Sequence, residues 1–283
     1  MRLIDSHAHL QSDPFDTDRA AVVAATFESG VERLLVLGWD AGSSARALSM
    51  AQGDARIDAA AGVHPHDATR CSEADWAEVV RLAADPRVVA IGETGLDYDR
   101  MRSPREAQLA NLRRHLRLAL DTGKPAILHC RSAVGLRDAQ DDLLVELWAI
   151  GFGEGPARAT FGGRPPAVLH SFSGPVDYAA AALELGLAIS FSGLVFRVGE
   201  EASAEVARLA PGERLLIETD SPYLAPPGVP RGSVPGFGGR RNSPPWVRVT
   251  GAWLAKQRGQ SPDSIGAGLV AAYDATFRSH SAG

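Results

Sequence analysis

Cysteine is nearly absent from this sequence: Cys71 and Cys130 are the only two in 283 residues. They form no spacing framework, which excludes a disulfide-stapled fold and points to a reducing, cytoplasmic setting. No apolar run is long enough to span a bilayer, and "MRLIDSHAHL" lacks the apolar stretch of a secretory signal. Work at or across a membrane is therefore not expected. Lysine is scarce as well, confined to Lys124 and Lys256, so positive charge rests on arginine. The formal net charge of −5 argues against sequence-independent coating of nucleic acid but allows a local basic rim around a cleft. A glycine-rich dinucleotide fingerprint after the first strand is also missing.

What is present is a globular composition, 45% hydrophobic, with a regular alternation. Short apolar runs predict strands at Leu3–His9, Arg33–Leu37, Ile57–Val63, Val88–Gly92, Ala126–Cys130, Ala167–His170, Leu187–Phe191 and Leu215–Thr219. Amphipathic segments between them predict helices, among them Thr17–Ser29, Ser72–Ala84, Pro104–Thr122, Arg137–Ile150, Val176–Leu185 and Glu200–Leu209. Two more, near Trp246–Arg258 and Asp263–Arg278, close the chain. Ser72 and Ser103-Pro104 read as helix starts, and Gly30, Gly123, Gly151 and Gly186 as helix stops. Eight strands alternating with helices predict a parallel α/β architecture, and the length favours a closed (β/α)8 TIM-type barrel over a doubly wound open sheet. One barrel is expected over residues 1–283. The stretch 151–166 reads as an insertion on the N-terminal face, and 226–245 as a loop on the C-terminal face.

The polar residues collect at the carboxyl ends of these strands. His7 and His9 end the first, one residue apart, so both side chains project to the same side. Such a pair is either a shared metal site or a hydrogen-bonded pair. His64 and His66 follow the third strand. Glu93, Asp97 and Asp99 lie in and after the fourth, His129 and Arg131 end the fifth, His170 ends the sixth and Asp220 the eighth. The remaining histidines, His115 and His280, sit in helical patterns and read as surface residues. Four imidazoles and two carboxylates exceed the needs of one tetrahedral zinc ion and suit two divalent ions sharing a carboxylate. The alternative is a hydrogen-bonded polar network capping the barrel. Lys124 precedes the fifth strand and lies on the opposite face, so a carbamylated-lysine bridge is not available.

The motifs "DSHAHL", "GVHPH", "IGETGLDYDR", "ILHCRSA", "HSFSG", "SGLVF", "LLIETDSPYLAP" and "RRNSPP" run in order over most of the chain. This set resembles the TatD-like metal-dependent deoxyribonucleases, an amidohydrolase-type (β/α)8 barrel family with divalent ions at its C-terminal face. The resemblance implies His7 and His9 as ligands of one metal, Glu93 as a shared ligand, and His129 and His170 as ligands of the second. It implies Asp220 as a ligand of the first metal and as the base for the attacking water, and His66 as a phosphate contact. Ser132 stands where the family often has Asp, and Asp274 where Asn is frequent; neither touches the six implied ligands.

Together these readings predict a metal-dependent hydrolase using two divalent ions (Mg, Mn or Zn) to cleave phosphodiesters, as a 3′→5′ exodeoxyribonuclease on single-stranded DNA ends. Asp220 and Glu93 are the expected catalytic residues. Arg131, Arg197, Arg240 and Arg241 follow strands five, seven and eight and are expected, with His66, to hold phosphates. Asp5 and Glu218 sit two residues before His7 and Asp220, where a carboxylate supports a metal-bound imidazole or forms a structural ion pair. Tyr98, Phe172, Phe196, Tyr223 and Phe237 are candidates for stacking on bases or for packing. Cys130 faces the helix layer and has no expected catalytic role. No obligate protein partner is indicated. The rival enzyme reading is a C–N or ester hydrolase acting on a small molecule or an aminoacylated RNA; a non-catalytic binding barrel is the other.

Overall fold

The computed structural model describes residues 1–153, 155–230 and 240–278. Eight parallel strands form one sheet in chain order: β1 Leu3–Ala8, β2 Val31–Leu37, β3 Ile57–Ala61, β4 Val88–Asp97, β5 Ala126–Arg131, β6 Ala167–Leu169, β7 Ala188–Phe191 and β8 Leu215–Ile217. The sheet closes on itself. Ala8 bridges Ser221 in parallel, His9 N–H donates to Ser221 O (2.7 Å), and Asp220 N–H donates to His7 O (2.9 Å). This is a (β/α)8 barrel, and closure removes both sheet edges.

Among the described residues ten α-helices accompany the strands: α1 Arg19–Glu28, α2 Ala41–Gly53, α3 Glu73–Ala83, α4 Arg105–Thr122, α5 Asp138–Ile150, α6 Gly155–Phe161, α7 Val176–Glu184, α8 Ala202–Leu209, α9 Val247–Arg258 and α10 Pro262–Phe277. Ser72 caps α3 in a reciprocal box with Asp75, and Gly123 and Gly151 end α4 and α5 in the left-handed conformation, as their positions predict. Ser103 does not cap α4; its hydroxyl donates to His66 O (3.0 Å). Two helices escape the sequence pattern. Helix α2, "AGSSARALSMAQG", has little apolar contrast, and an Asp40–Ser43 capping box starts it. Helix α6 occupies part of the 151–166 stretch and buries Ala157 and Phe161.

Strand residues such as Ile4, Leu35, Leu37, Ile91, Leu128 and Ile189 are fully buried, each contributing about 1.5–3 kcal/mol by leaving water. Every residue of β1 is buried, including Asp5, Ser6 and His7, as befits a strand covered on both faces. Strand β4 runs five residues beyond the expected Val88–Gly92. Its extension depends on glycine: Gly95 has φ +135°, and a Cβ there would lie 1.9 Å from His129 O. The absent side chain, two residues past Glu93, lets β4 pair closely with β5 at His129.

Candidate metal centre

Glu93 is 3% exposed and stands between two sets of donors. On one side, His7 Nε2 and His9 Nε2 are 3.2 Å apart. Both face Glu93 Oε2 (3.3 and 3.4 Å) and Asp220 Oδ1 (3.7 and 3.5 Å). On the other side, Glu93 Oε1 meets His170 Nε2 (2.9 Å), His129 Nδ1 (3.2 Å) and His64 Nε2 (3.3 Å). The structure thus brings His7, His9, Glu93, His129, His170 and Asp220 together from five strands and adds His64.

The outer ring nitrogens decide what the inner ones can do. His9 Nδ1 lies 3.0 Å from Leu37 O, His129 Nε2 3.1 Å from Asp97 Oδ2, and His170 Nδ1 3.1 Å from Glu218 Oε1. Each of these partners only accepts, so each outer nitrogen carries the proton. In the neutral ring the inner nitrogen then presents a lone pair. Lone pairs from three imidazoles and from ionised carboxylates, packed at 2.9–3.5 Å, repel unless a cation lies among them. Imidazole ligands at ~2.0–2.1 Å from a tetrahedral ion lie ~3.4 Å from one another, close to the separations in the His7–His9–Glu93–Asp220 set. The donor set therefore fits a divalent cation. His64 has the reverse polarity. Its Nδ1 accepts the His66 backbone N–H (3.1 Å), so its neutral ring carries the proton on Nε2.

The electrostatics follow from this crowding. Burial alone would raise Glu93, but the His64, His170 and His7 rings hold it well below the carboxylate range. Desolvation pulls His9 down, yet Asp220 and Glu93 outweigh it and push the ring up to about 10. His170, likewise desolvated, is raised well above its ordinary value by Glu93 and Glu218. Without a bound metal, protons take the place of the cation.

Other expected residues divide. Glu218 reaches the His170 ring. Asp5 does not reach an imidazole; it accepts from Thr219 N (2.9 Å), Thr219 Oγ1 (2.6 Å) and His7 N (3.3 Å), tying β1 to the end of β8. Burial pushes Asp5 up to about 8 despite these bonds. His66 Nε2 lies 2.9 Å from Asp97 Oδ2, which also serves His129. Arg131 pairs with Asp99 (2.7 Å), and Arg197 and Arg240 are exposed. Arg241 is turned elsewhere: it donates to Asp18 and to Pro14 O and lies over the Phe15 ring, so a phosphate role for it is replaced by an anchoring one. Beside it, Asn242 fastens the loop end to Thr219 O (2.8 Å).

Tyr98 donates to Asp142 and Phe172 is buried in the core, so both are packing residues; Tyr223 is 51% exposed with its ring 6.2 Å from His9. Cys130 is partly buried against the core, and desolvation pushes its thiol up to about 12. Lys124 donates to Ala83 O and Asp85 O at the opposite end. Residues 231–239 of the 226–245 loop, with Phe237, and His280 lie outside the described residues.

Sequence reasoning gave no role to His64 or Asp97, although both sit in strand-end motifs. It also misjudged His115, which is completely buried rather than on the surface. Its histidine type inside a helical apolar face was the available signal.

Known proteins resemble this chain in sequence and in fold. The family model for TatD related DNase matches residues 4–278. The chain is 34% identical over 263 residues to the uncharacterized metal-dependent hydrolase YabD of Bacillus subtilis, covering 93% of this chain and 94% of that protein. It is 36% identical over 266 residues to the 3′-5′ ssDNA/RNA exonuclease TatD of Escherichia coli K12, covering 89% and 94%. The crystal structure of YjjV, a TatD homologue from Escherichia coli, superposes with a TM-score of 0.81 at 27% identity, covering 98% of both chains. The chain belongs to the TatD related DNase family and is a metal-dependent hydrolase.

Proposed function

We propose that this protein is a two-metal phosphodiesterase that removes nucleotides from the 3′ end of single-stranded DNA or RNA. The observation that carries the reading is Glu93, whose two oxygens face two separate donor sets. In this reading His7, His9, Glu93 and Asp220 hold one ion, and Glu93, His129 and His170 hold the other. Bound divalent ions would supply hydroxide near neutral pH and neutralise charge on the phosphodiester oxygens. Mg, Mn and Zn all suit imidazole and carboxylate donors.

Asp220 orients the attacking water and accepts its proton. It is suited to this because the nearby His9, His7 and His170 rings keep it ionised although burial opposes ionisation. His64 carries its proton on Nε2, 3.3 Å from Glu93 Oε1, so it donates to that carboxylate and steadies it. His66 and Asp97 form the adjoining wall. Glu218 and Asp97 fix the tautomers of His170 and His129. Arg131, Arg197 and Arg240 supply the basic rim, and Tyr223 a surface for a terminal base. The exonuclease direction rests on the family relatives named for that activity. A cytoplasmic setting suits two unpaired cysteines.

The test combines metal analysis with turnover of 3′-labelled and 5′-labelled single strands under added Mg²⁺, Mn²⁺ and Zn²⁺, beside a panel of amides and esters. Immediate release of the 3′ label supports the reading. Turnover confined to amides or esters would replace it with a C–N or ester hydrolase.

A further inference from the structure

Helix α4 packs on the outside of β4 and β5, where apolar side chains are the rule. Leu112, Leu116 and Ala119 follow that rule. Yet Gln108, Asn111 and His115, at spacings of three and four, share one side of the helix and are at most 2% exposed. Each is satisfied by main-chain groups at the strand ends. Gln108 Oε1 accepts Asp97 N–H (2.7 Å), and its Nε2 donates to Asp97 O (3.1 Å) and Ser103 O (2.7 Å). Asn111 Nδ2 donates to Val63 O (2.7 Å), and His115 Nε2 accepts Val63 N–H (2.9 Å).

Two residues, Val63 and Asp97, are thus held at both their backbone N–H and their C=O. Val63 lies beyond the last β3–β4 pair, Ala61 with Ile91, where the ladder no longer supplies partners. It precedes His64. Asp97 is the carboxylate that carries His129 and His66. The grip is itself braced. His115 Nδ1–H donates to Asn111 O (2.7 Å), Arg114 donates to Asn111 Oδ1 (2.8 Å), and Trp76 of α3 stands edge-on to the His115 ring at 4.8 Å. Burial pushes His115 down to about 3, so the ring stays neutral and keeps Nε2 as an acceptor. Apolar residues at these three places would pack the helix as well, but would leave the strand-end peptides unpaired.

We propose that Gln108, Asn111 and His115 are positioning residues: through the backbone they set Asp97, and hence His129, and they set His64. The proposal rests on the metal-centre reading above and not on the choice of substrate.

The test isolates the Glu93–His129–His170 set in a His9→Ala background and measures Mn²⁺ binding by calorimetry. Loss of a group supporting a ligand lowers metal affinity about 10–100-fold, and Gln108→Leu should do so. In a background that also carries Asp97→Asn, the same change should add little, because the residue it acts through is already disabled. Undiminished Mn²⁺ affinity, or an equal loss with Asp97 already replaced, overturns the proposal. If Gln108→Leu does not fold, His115 gives an independent arm. His115→Leu should lower kcat with KM retained, and His115→Gln, which keeps an acceptor, should restore it. Equal kcat in both variants, or an equal effect on a His64→Ala background, overturns it. A parent protein inactive on nucleic acid would defeat the proposed substrate and leave the Mn²⁺ titration standing.

Discussion

The two ends of the barrel solve the same problem differently. At the N-terminal end, Asp58 is 1% exposed and meets donors from its own chain: Tyr273 Oη (2.9 Å) and Arg278 Nη1 (3.0 Å), both brought by α10 and the residue after it. At the C-terminal end, Glu93 is 3% exposed and among the described residues its side chain meets only imidazoles, three of which turn a lone pair inward. A buried carboxylate needs a cation or a set of donors. The first is complete without help, and the second is complete only with something from solution. Burial alone marks neither as functional. The direction of each hydrogen bond does.

That contrast can be broken most severely at Asp220. Asp220→Asn keeps the shape but removes the proton acceptor, and general base catalysis is worth typically 10²–10⁴-fold, so kcat should fall by about that order. Steady-state kinetics with metal analysis checks it, and near-normal kcat would take Asp220 out of the chemistry. The next effect is thermal. Metal at ~100 times its Kd adds about 2.7 kcal/mol, or roughly 5–10 °C in Tm for a chain of this size, and chelation should remove it reversibly. The same scan on a His9→Ala variant should show a smaller gain. At the other end, Arg278→Met deprives Asp58 of one partner and should cost about 1–3 kcal/mol in denaturant unfolding, with kcat and metal content unchanged. The smallest effect belongs to Arg241→Met. Its partner Asp18 is partly exposed, so stability should drop by less than ~1 kcal/mol, and KM for a single strand should not move. A raised KM would return Arg241 to the substrate surface.

Much of this was legible in the chain. The strand-end positions of His7, His9, Glu93, His129, His170 and Asp220 follow from alternation and strand order, because a closed parallel barrel delivers all carboxyl ends to one mouth. Helix α2 was not legible, since its Ser- and Gly-rich sequence carries weak periodicity and its stability comes from an end cap and from packing on β3. Arg241 and Arg131 look alike in sequence. Only the placement of Asp18 and Phe15 turned Arg241 into an anchor, while Arg131 paired with Asp99 at the rim.

By itself the sequence determined the barrel, its order and the chemistry gathered at one end, since periodicity and strand-end position are local properties that closure projects into space. The tertiary structure decided polarity. His64 and His129 are both strand-end histidines. One accepts a backbone N–H on its outer nitrogen and the other faces a carboxylate there, so one presents a proton and the other a lone pair. The His64 partner is a peptide only two residues on, in a local turn, but the His129 partner is the Asp97 carboxylate of the neighbouring strand, which only folding brings there, and it is that distant group that turns the His129 lone pair inward.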